Sequence, residues 1–219
     1  MEIAIAPELQ GRVMLGVFRL AGVTVEAGSQ TLNDEVDALC AEMRSRYGGG
    51  KSAEVPGAED ARRLYKALGI DPTKTRPSNE ALLRRALKGE SLYRINTLVD
   101  ALNLSSLRFQ LPFGLYDSDR IAPPVLLRKG GKGESYEGIR KGSVNVDERP
   151  VLVDAEGPFG NPTSDSARTC ITEGTRSALV VGYAPAGYSQ RRLEEVLDGT
   201  ESCLVRHCGG TRVERRILS

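Results

Sequence analysis

The sequence predicts an α+β fold, a single domain spanning residues 1–219 in which helices pack on a mostly antiparallel sheet. Two observations carry that class. Apolar residues recur at helical spacing through most of the chain before Leu111, whereas beyond it short β-branched runs alternate with glycine and charge. A third observation sets the scale: 219 residues, 40% of them hydrophobic, supply enough apolar surface for a real core and argue against disorder.

The elements follow in order. Gly11 to Ala27 (GRVMLGVFRLAGVTVEA) is too apolar for a loop and reads as one or two strands. Thr31 to Tyr47 places Leu32, Val36, Leu39, Cys40 and Met43 at helical spacing, with acids early and arginines late as the helix dipole prefers. Gly48 to Gly57 is a glycine-rich connector, and Ala58 to Leu68 is a second helix stopped at Gly69. Pro72 and Pro77 fix an extended turn. Ser78 is expected to cap a helix whose stripe of Leu82, Leu83 and Leu87 runs to Gly89, and Leu92 to Leu104 continues as another helix. Past Leu111-Pro112, Val125–Leu127, Ser143–Val146 and Val151–Val153 are short strands, with Ala178–Tyr183 as a central one. Ser189 to Leu197 is a capped helix, and Ser202–His207 with Thr211–Leu218 reads as a closing hairpin around Gly209-Gly210.

Composition excludes several chemistries. His207 is the one histidine, which removes three-histidine zinc sites, H-E-x-x-H proteases and two-histidine iron sites. Cys40, Cys170, Cys203 and Cys208 form no C-x-x-C, and the spacing of Cys203, His207 and Cys208 fits no standard zinc arrangement, so neither metal nor cofactor is expected. A net charge of +1 provides no global field for nucleic acid, so any RNA contact must be local. Arginine pairs such as Arg84-Arg85 and Arg191-Arg192 suit bidentate phosphate contacts, or simply reflect arginine used in place of lysine. Gly50-Lys51-Ser52 lacks the first glycine of a phosphate-binding loop, where Ser45 stands, and follows a helix rather than a strand. Without an apolar run of about eighteen residues, or a basic, apolar leader in Met1–Arg12, the chain is expected in the cytoplasm with no membrane partner. The cysteines then read as reduced thiols.

Two polar segments resist a pure packing account. Asn96, Asp100 and Asn103 stand at i, i+4 and i+7, so on one helix they either line a wet pocket or form a solvated face. Gly160 to Thr169 (GNPTSDSART) is a dense run of donors and acceptors leading through Thr172 into an apolar strand. Such a loop binds a ligand through hydroxyls, amides and a guanidinium, or satisfies its own turn.

These segments also carry a resemblance. Arg94 to Ile121 (RINTLVDALNLSSLRFQLPFGLYDSDRI) resembles the stretch of the phenylalanyl-tRNA synthetase beta subunit that reads I-N-x-x-V-D-x-T-N and then Q-P-x-H-x-F-D. Asn96, Val99, Asp100, Asn103, Pro112, Tyr116, Asp117 and Asp119 fill the shared positions. That stretch belongs to the B3/B4 module, which hydrolyses misacylated tRNA. The likeness runs from about Gly11 to about Pro185, leaving 186–219 as a C-terminal helix and hairpin, and Pro77 to Arg85 is similar to free-standing relatives of the module.

The resemblance implies a B3/B4-like fold and an aminoacyl-tRNA deacylase, a carboxylic ester hydrolase acting in trans on the aminoacylated 3′ end of tRNA without metal or cofactor. Asn96, Asp100, Asn103, Phe113, Gly114, Thr163, Ser164 and Thr172 would bind substrate, and Asp165, Ser166, Arg168 and Thr169 would orient the amino acid and a water. Orientation suffices because the ester is already activated. Leu102 and Gly114 depart from the family's threonine and histidine, so specificity for tyrosine is not implied and Gly114 is expected to open space. At 219 residues the chain is too short for the synthetase's other domains. A different class stands beside this one, a non-catalytic module that binds tRNA or an amino acid-like ligand on the same fold. A third, Cys170 or Ser166 as nucleophile with His207, finds no spacing that joins them.

Overall fold

In the computed structural model, which describes residues 1–139 and 142–219, strand β1 (Ile3–Ile5) leads into β2 (Val13–Ala21), a single strand within the expected Gly11–Ala27 region. Helix α1 (Gln30–Tyr47) opens on the Ser29 hydroxyl, which accepts the Leu32 N–H, and buries Leu32, Val36 and Leu39 as the spacing requires. Helices α2 (Ala58–Ala67) and α3 (Ser78–Lys88) follow. Ser78 does not cap α3: Pro77 holds the cap position and Ser78 is the first helical residue, because proline already supplies the extended backbone there.

Helix α4 (Thr97–Phe109) starts five residues later than expected and runs five further. Its start is set by Asn96, whose side-chain oxygen accepts the Val99 N–H, while Asp100 reaches back to the Ile95 N–H at 3.0 Å. Strands β3 (Phe113–Asp117), β4 (Val125–Lys129), β5 (Ser135–Gly138), β6 (Gly142–Asn145), β7 (Pro150–Asp154), β8 (Gly157–Gly160) and β9 (Ser177–Pro185) come next. Helix α5 (Gln190–Cys208) is capped by Ser189 as expected, yet continues well past Leu197. Leu193, Val196, Leu197, Cys203 and Leu204 keep a buried helical face throughout, so Ser202–His207 is helix and not the first arm of a hairpin. Gly209 and Gly210, both at positive φ, reverse the chain into β10 (Thr211–Leu218).

One sheet has the order β10-β2-β9-β3, and a second has the order β1-β4-β7-β8; a small ribbon pairs β5 with β6. Among the described strands the pairings are antiparallel except that of β1 with β4. The first sheet therefore mixes the two halves of the chain, with β2 from the first and β3, β9 and β10 from the second. Strands β2, β9 and β3 bury both faces, while the edge strand β10 stays largely exposed. Phe18 and Leu20 of β2 join Phe113, Leu115, Val180 and the four helices α1, α3, α4 and α5 in one cluster. Leu15 and Val17 of β2 join Tyr116, Val181 and Tyr183, α2 and the second sheet in another. Helices, sheet and a second sheet with α2 thus form three layers of one domain. Each fully buried leucine or valine contributes about 1.5–3 kcal/mol.

Candidate functional site

Beside β3, at the edge of the central sheet, a cleft of about 740 Å³ opens between α4, residues 93–95, residue 139, the 163–165 loop and residues 170–171. That volume lies in the range of about 300–1,000 Å³ occupied by small-molecule sites. Strand alternation decides what β3 presents: Phe113 and Leu115 line the cleft, and α4 contributes Val99, Leu102 and Asn103, neighbours on one helical face. Three of the four large hydrophobic side chains exposed on the described surface, Tyr93, Ile95 and Ile139, stand at this cleft. The cleft thus gathers most of the large apolar surface that the described residues expose.

The rest of the lining is more polar. Thr163, Ser164 and Asp165 line the cleft together, and their loop is tied down from inside. The Asn161 side-chain oxygen accepts the N–H groups of Thr163 and Ser164 at 2.8 and 2.9 Å. The Tyr65 hydroxyl donates to the Pro162 carbonyl at 2.9 Å and lies 3.0 Å from the Thr163 hydroxyl. Tyr136 donates to the Ser164 carbonyl at 2.5 Å. Tyr116 and Tyr183 meet hydroxyl to hydroxyl at 3.4 Å in the same region. Burial pushes the Tyr65 phenol up to about 12, and burial together with the Asp165 charge raises those of Tyr136 and Tyr116. All remain protonated at neutral pH, so Tyr65 and Tyr136 act as permanent donors to the loop.

The structure brings Asn103, Phe113, Thr163, Ser164 and Asp165 of the expected site together around the cleft. It places the others elsewhere. Asn96 and Asp100 are buried, and their side chains cap α4; burial raises the Asp100 carboxyl, opposed by the Ile95 N–H and the Arg94 charge. The Gly114 α-carbon faces the other side of β3, where a Cβ would lie 2.7 Å from Cζ of Tyr116, so the tyrosine ring fills the space expected to be open. Gly160 meets the same ring, its Cβ position 2.6 Å from Tyr116 Cζ.

Ser166 and Thr169 are buried, with their hydroxyls 3.0 Å apart, and Ser166 Oγ also accepts the Thr169 N–H. Arg168 turns to the second sheet and grips Asp154 at 2.8 and 2.9 Å, with Glu156 at 3.1 Å. Burial would raise the Asp154 carboxyl, but Arg168 and the N–H groups of Ala122 and Glu156 hold it below the usual range. The Thr172 N–H bonds the Thr175 hydroxyl, which in turn donates to Asp117. His207 lies at the end of α5, 3.0 Å from Glu35, while Cys170 lines the cleft and Ser166 bonds Thr169.

The described residues that line the cleft run from Tyr93 to Ile171. The family model of the B3/4 domain matches residues 60–196, well over half of the chain, and takes in these lining residues. The chain belongs to the B3/4 domain family. Among solved structures, an N-terminal fragment of the phenylalanyl-tRNA synthetase beta subunit from Pyrococcus horikoshii is similar over 96% of this chain, at 12% identity and a TM-score of 0.48. This B3/4 chain spans 50% of that fragment. No curated protein sequence gives a significant match. Among the described residues of the B3/4 chain, no helix is long and apolar enough to cross a membrane.

Sequence reasoning missed the phenol scaffold under the loop, because Tyr65, Tyr116, Tyr136 and Tyr183 come from four separate elements. The apolar wall left a weaker signal in Tyr93 and Ile95, large hydrophobics standing just before a helix cap.

Proposed function

We propose that this B3/4 protein is a trans-acting aminoacyl-tRNA deacylase of the cytoplasm, which receives the aminoacylated 3′ end of tRNA in the cleft beside β3. The observation that carries the reading is that apolar side chains of α4 and β3 and a fixed polar loop line one cleft. An ester of an amino acid presents the same division, a side chain on one side and an ammonium and carbonyl on the other. In this reading the Asp165 carboxylate meets the ammonium group, and Thr163 and Ser164 with Asn103 hold a water against the ester carbon. Fixed dipoles and proximity supply the rate, since the loop needs no reorganisation when charge develops on the carbonyl oxygen. Asn96 and Asp100 act from behind by setting the helix end, and Ser166 and Thr169 by closing the end of the loop; Arg168 and Thr172 serve the fold through Asp154 and Thr175, and Gly114 does so by admitting the Tyr116 ring.

The test is hydrolysis of tRNA charged with non-cognate amino acids, followed with and without the protein. Release at least a hundredfold above the spontaneous rate for one or more aminoacyl groups is expected. A second reading, a non-catalytic module for aminoacyl-tRNA, is favoured by the burial of Ser166 and Thr169 away from the cleft. It predicts binding without turnover.

A further inference from the structure

We propose that the cleft selects aminoacyl groups with apolar side chains and discriminates against their hydroxylated isosteres, a claim that rests on the deacylase reading and adds its substrate class. The lining is segregated by element. Val99 and Leu102 of α4, Phe113 and Leu115 of β3, and Ile171 supply the apolar lining, whereas Ile139 stands beside the loop, its N–H bonding the Asp165 carbonyl at 3.3 Å. The hydrogen-bonding groups sit on the loop, at Thr163, Ser164 and Asp165, with Asn103 as the one such side chain that α4 contributes among the described residues. Arg94, also at the rim, is already engaged, its guanidinium 2.6 Å from Asp37. The Tyr93 hydroxyl accepts from Arg85 at 3.3 Å, and the Arg85 guanidinium stacks 4.3 Å from the Tyr93 ring, so that phenol is also held toward the surface.

An aminoacyl ester that places its ammonium group near Asp165 therefore has to direct its side chain at the aliphatic and aromatic wall. A hydroxyl carried there leaves water and finds few partners, which penalises it. A pocket of this kind rejects an added hydroxyl only moderately, by about 10- to 100-fold. The occupant is thus a branched aliphatic or phenyl-like group, and the closely similar threonine and tyrosine are the disfavoured partners.

The experiment charges one tRNA with valine, threonine, phenylalanine or tyrosine and measures deacylation of each by the full chain. In parallel, the four corresponding non-hydrolysable 3′-aminoacylamino-3′-deoxyadenosines are tested for binding. Valine is expected to exceed threonine, and phenylalanine tyrosine, by about tenfold or more in both readouts. Val99→Thr, which adds a hydroxyl at nearly constant volume, is expected to narrow the valine to threonine ratio at least threefold with folding intact. Turnover without this preference, or with threonine and tyrosine favoured, overturns the substrate class and leaves the deacylase reading standing. Preferential binding of the apolar analogues without turnover of any ester supports the class and overturns the deacylase reading. If no analogue binds and no ester is hydrolysed, both fall.

Discussion

Tyr136 donates its hydroxyl to the Ser164 carbonyl at 2.5 Å, so a side chain of the β5–β6 ribbon fixes the middle of the loop that faces the cleft. The phenol is held protonated by its burial and by the Asp165 charge. Tyr136→Phe is expected to lower stability by about 1 kcal/mol and deacylation by about tenfold. Single-turnover rates and thermal unfolding of the variant check both, and the rate of the parent should show no phenol ionisation between pH 6 and about 9.

The Tyr116 ring lies against the α-carbons of Gly114 and Gly160, from two different sheets. Gly114→His is therefore expected to destabilise the fold by about 2–4 kcal/mol, by overpacking, instead of narrowing the cleft. Denaturant unfolding of Gly114→Ala, Tyr116→Leu and the double variant checks it: the second change should recover about 1 kcal/mol or more of the first.

Arg168 and Asp154 form a two-toothed pair in which the Asp154 side chain is fully buried. Removing Arg168 strands that carboxylate, so Arg168→Ala is expected to cost about 2–4 kcal/mol of stability. Turnover per folded molecule should change less than threefold, measured at a temperature where both proteins are folded.

Glu80 is buried on α3, bonded by Arg62 at 2.7 and 2.8 Å and by Ser52 at 2.9 Å. Burial raises its carboxyl, but the hydrogen bonds of Arg62 and Ser52 and the charges of Arg62 and Arg76 outweigh it and leave the group below its ordinary value. A folded-state value below the unfolded one stabilises the fold above the ordinary glutamate range near pH 4.3, and the gain is lost as pH falls through the lowered value. Glu80→Gln should therefore cost about 2–3 kcal/mol at pH 7 and progressively less below about pH 4.3, read from unfolding curves across that window.

Where residues speak to near neighbours, the sequence was a good guide. Leu32, Val36 and Leu39 announced α1, and the Ala178–Tyr183 run announced β9, because helical spacing and a doubly buried strand are local patterns. Asn96, Asp100 and Asn103 show the limit. Their spacing is that of one helical face, yet Asn96 lies before the helix, and the helix end uses the side chains of Asn96 and Asp100 for its own N–H groups. Arg168, in the turn between β8 and β9, finds Asp154 fourteen residues earlier on β7, a partnership no spacing discloses. Gly209-Gly210 signals a reversal equally well between two strands or between helix and strand. The partner of β10 proved to be β2, nearly two hundred residues earlier.

The most direct measurement is the single-turnover deacylation of valyl-tRNA by the parent protein and by Asp165→Asn, with folding of both confirmed by thermal unfolding. The account predicts hydrolysis at least a hundredfold above the spontaneous rate for the parent. It predicts that the substitution removes about tenfold or more of that gain, because the neutral amide no longer pairs with the ammonium group of the substrate. Parent and variant hydrolysing at the same rate, or neither exceeding the spontaneous rate, would contradict it.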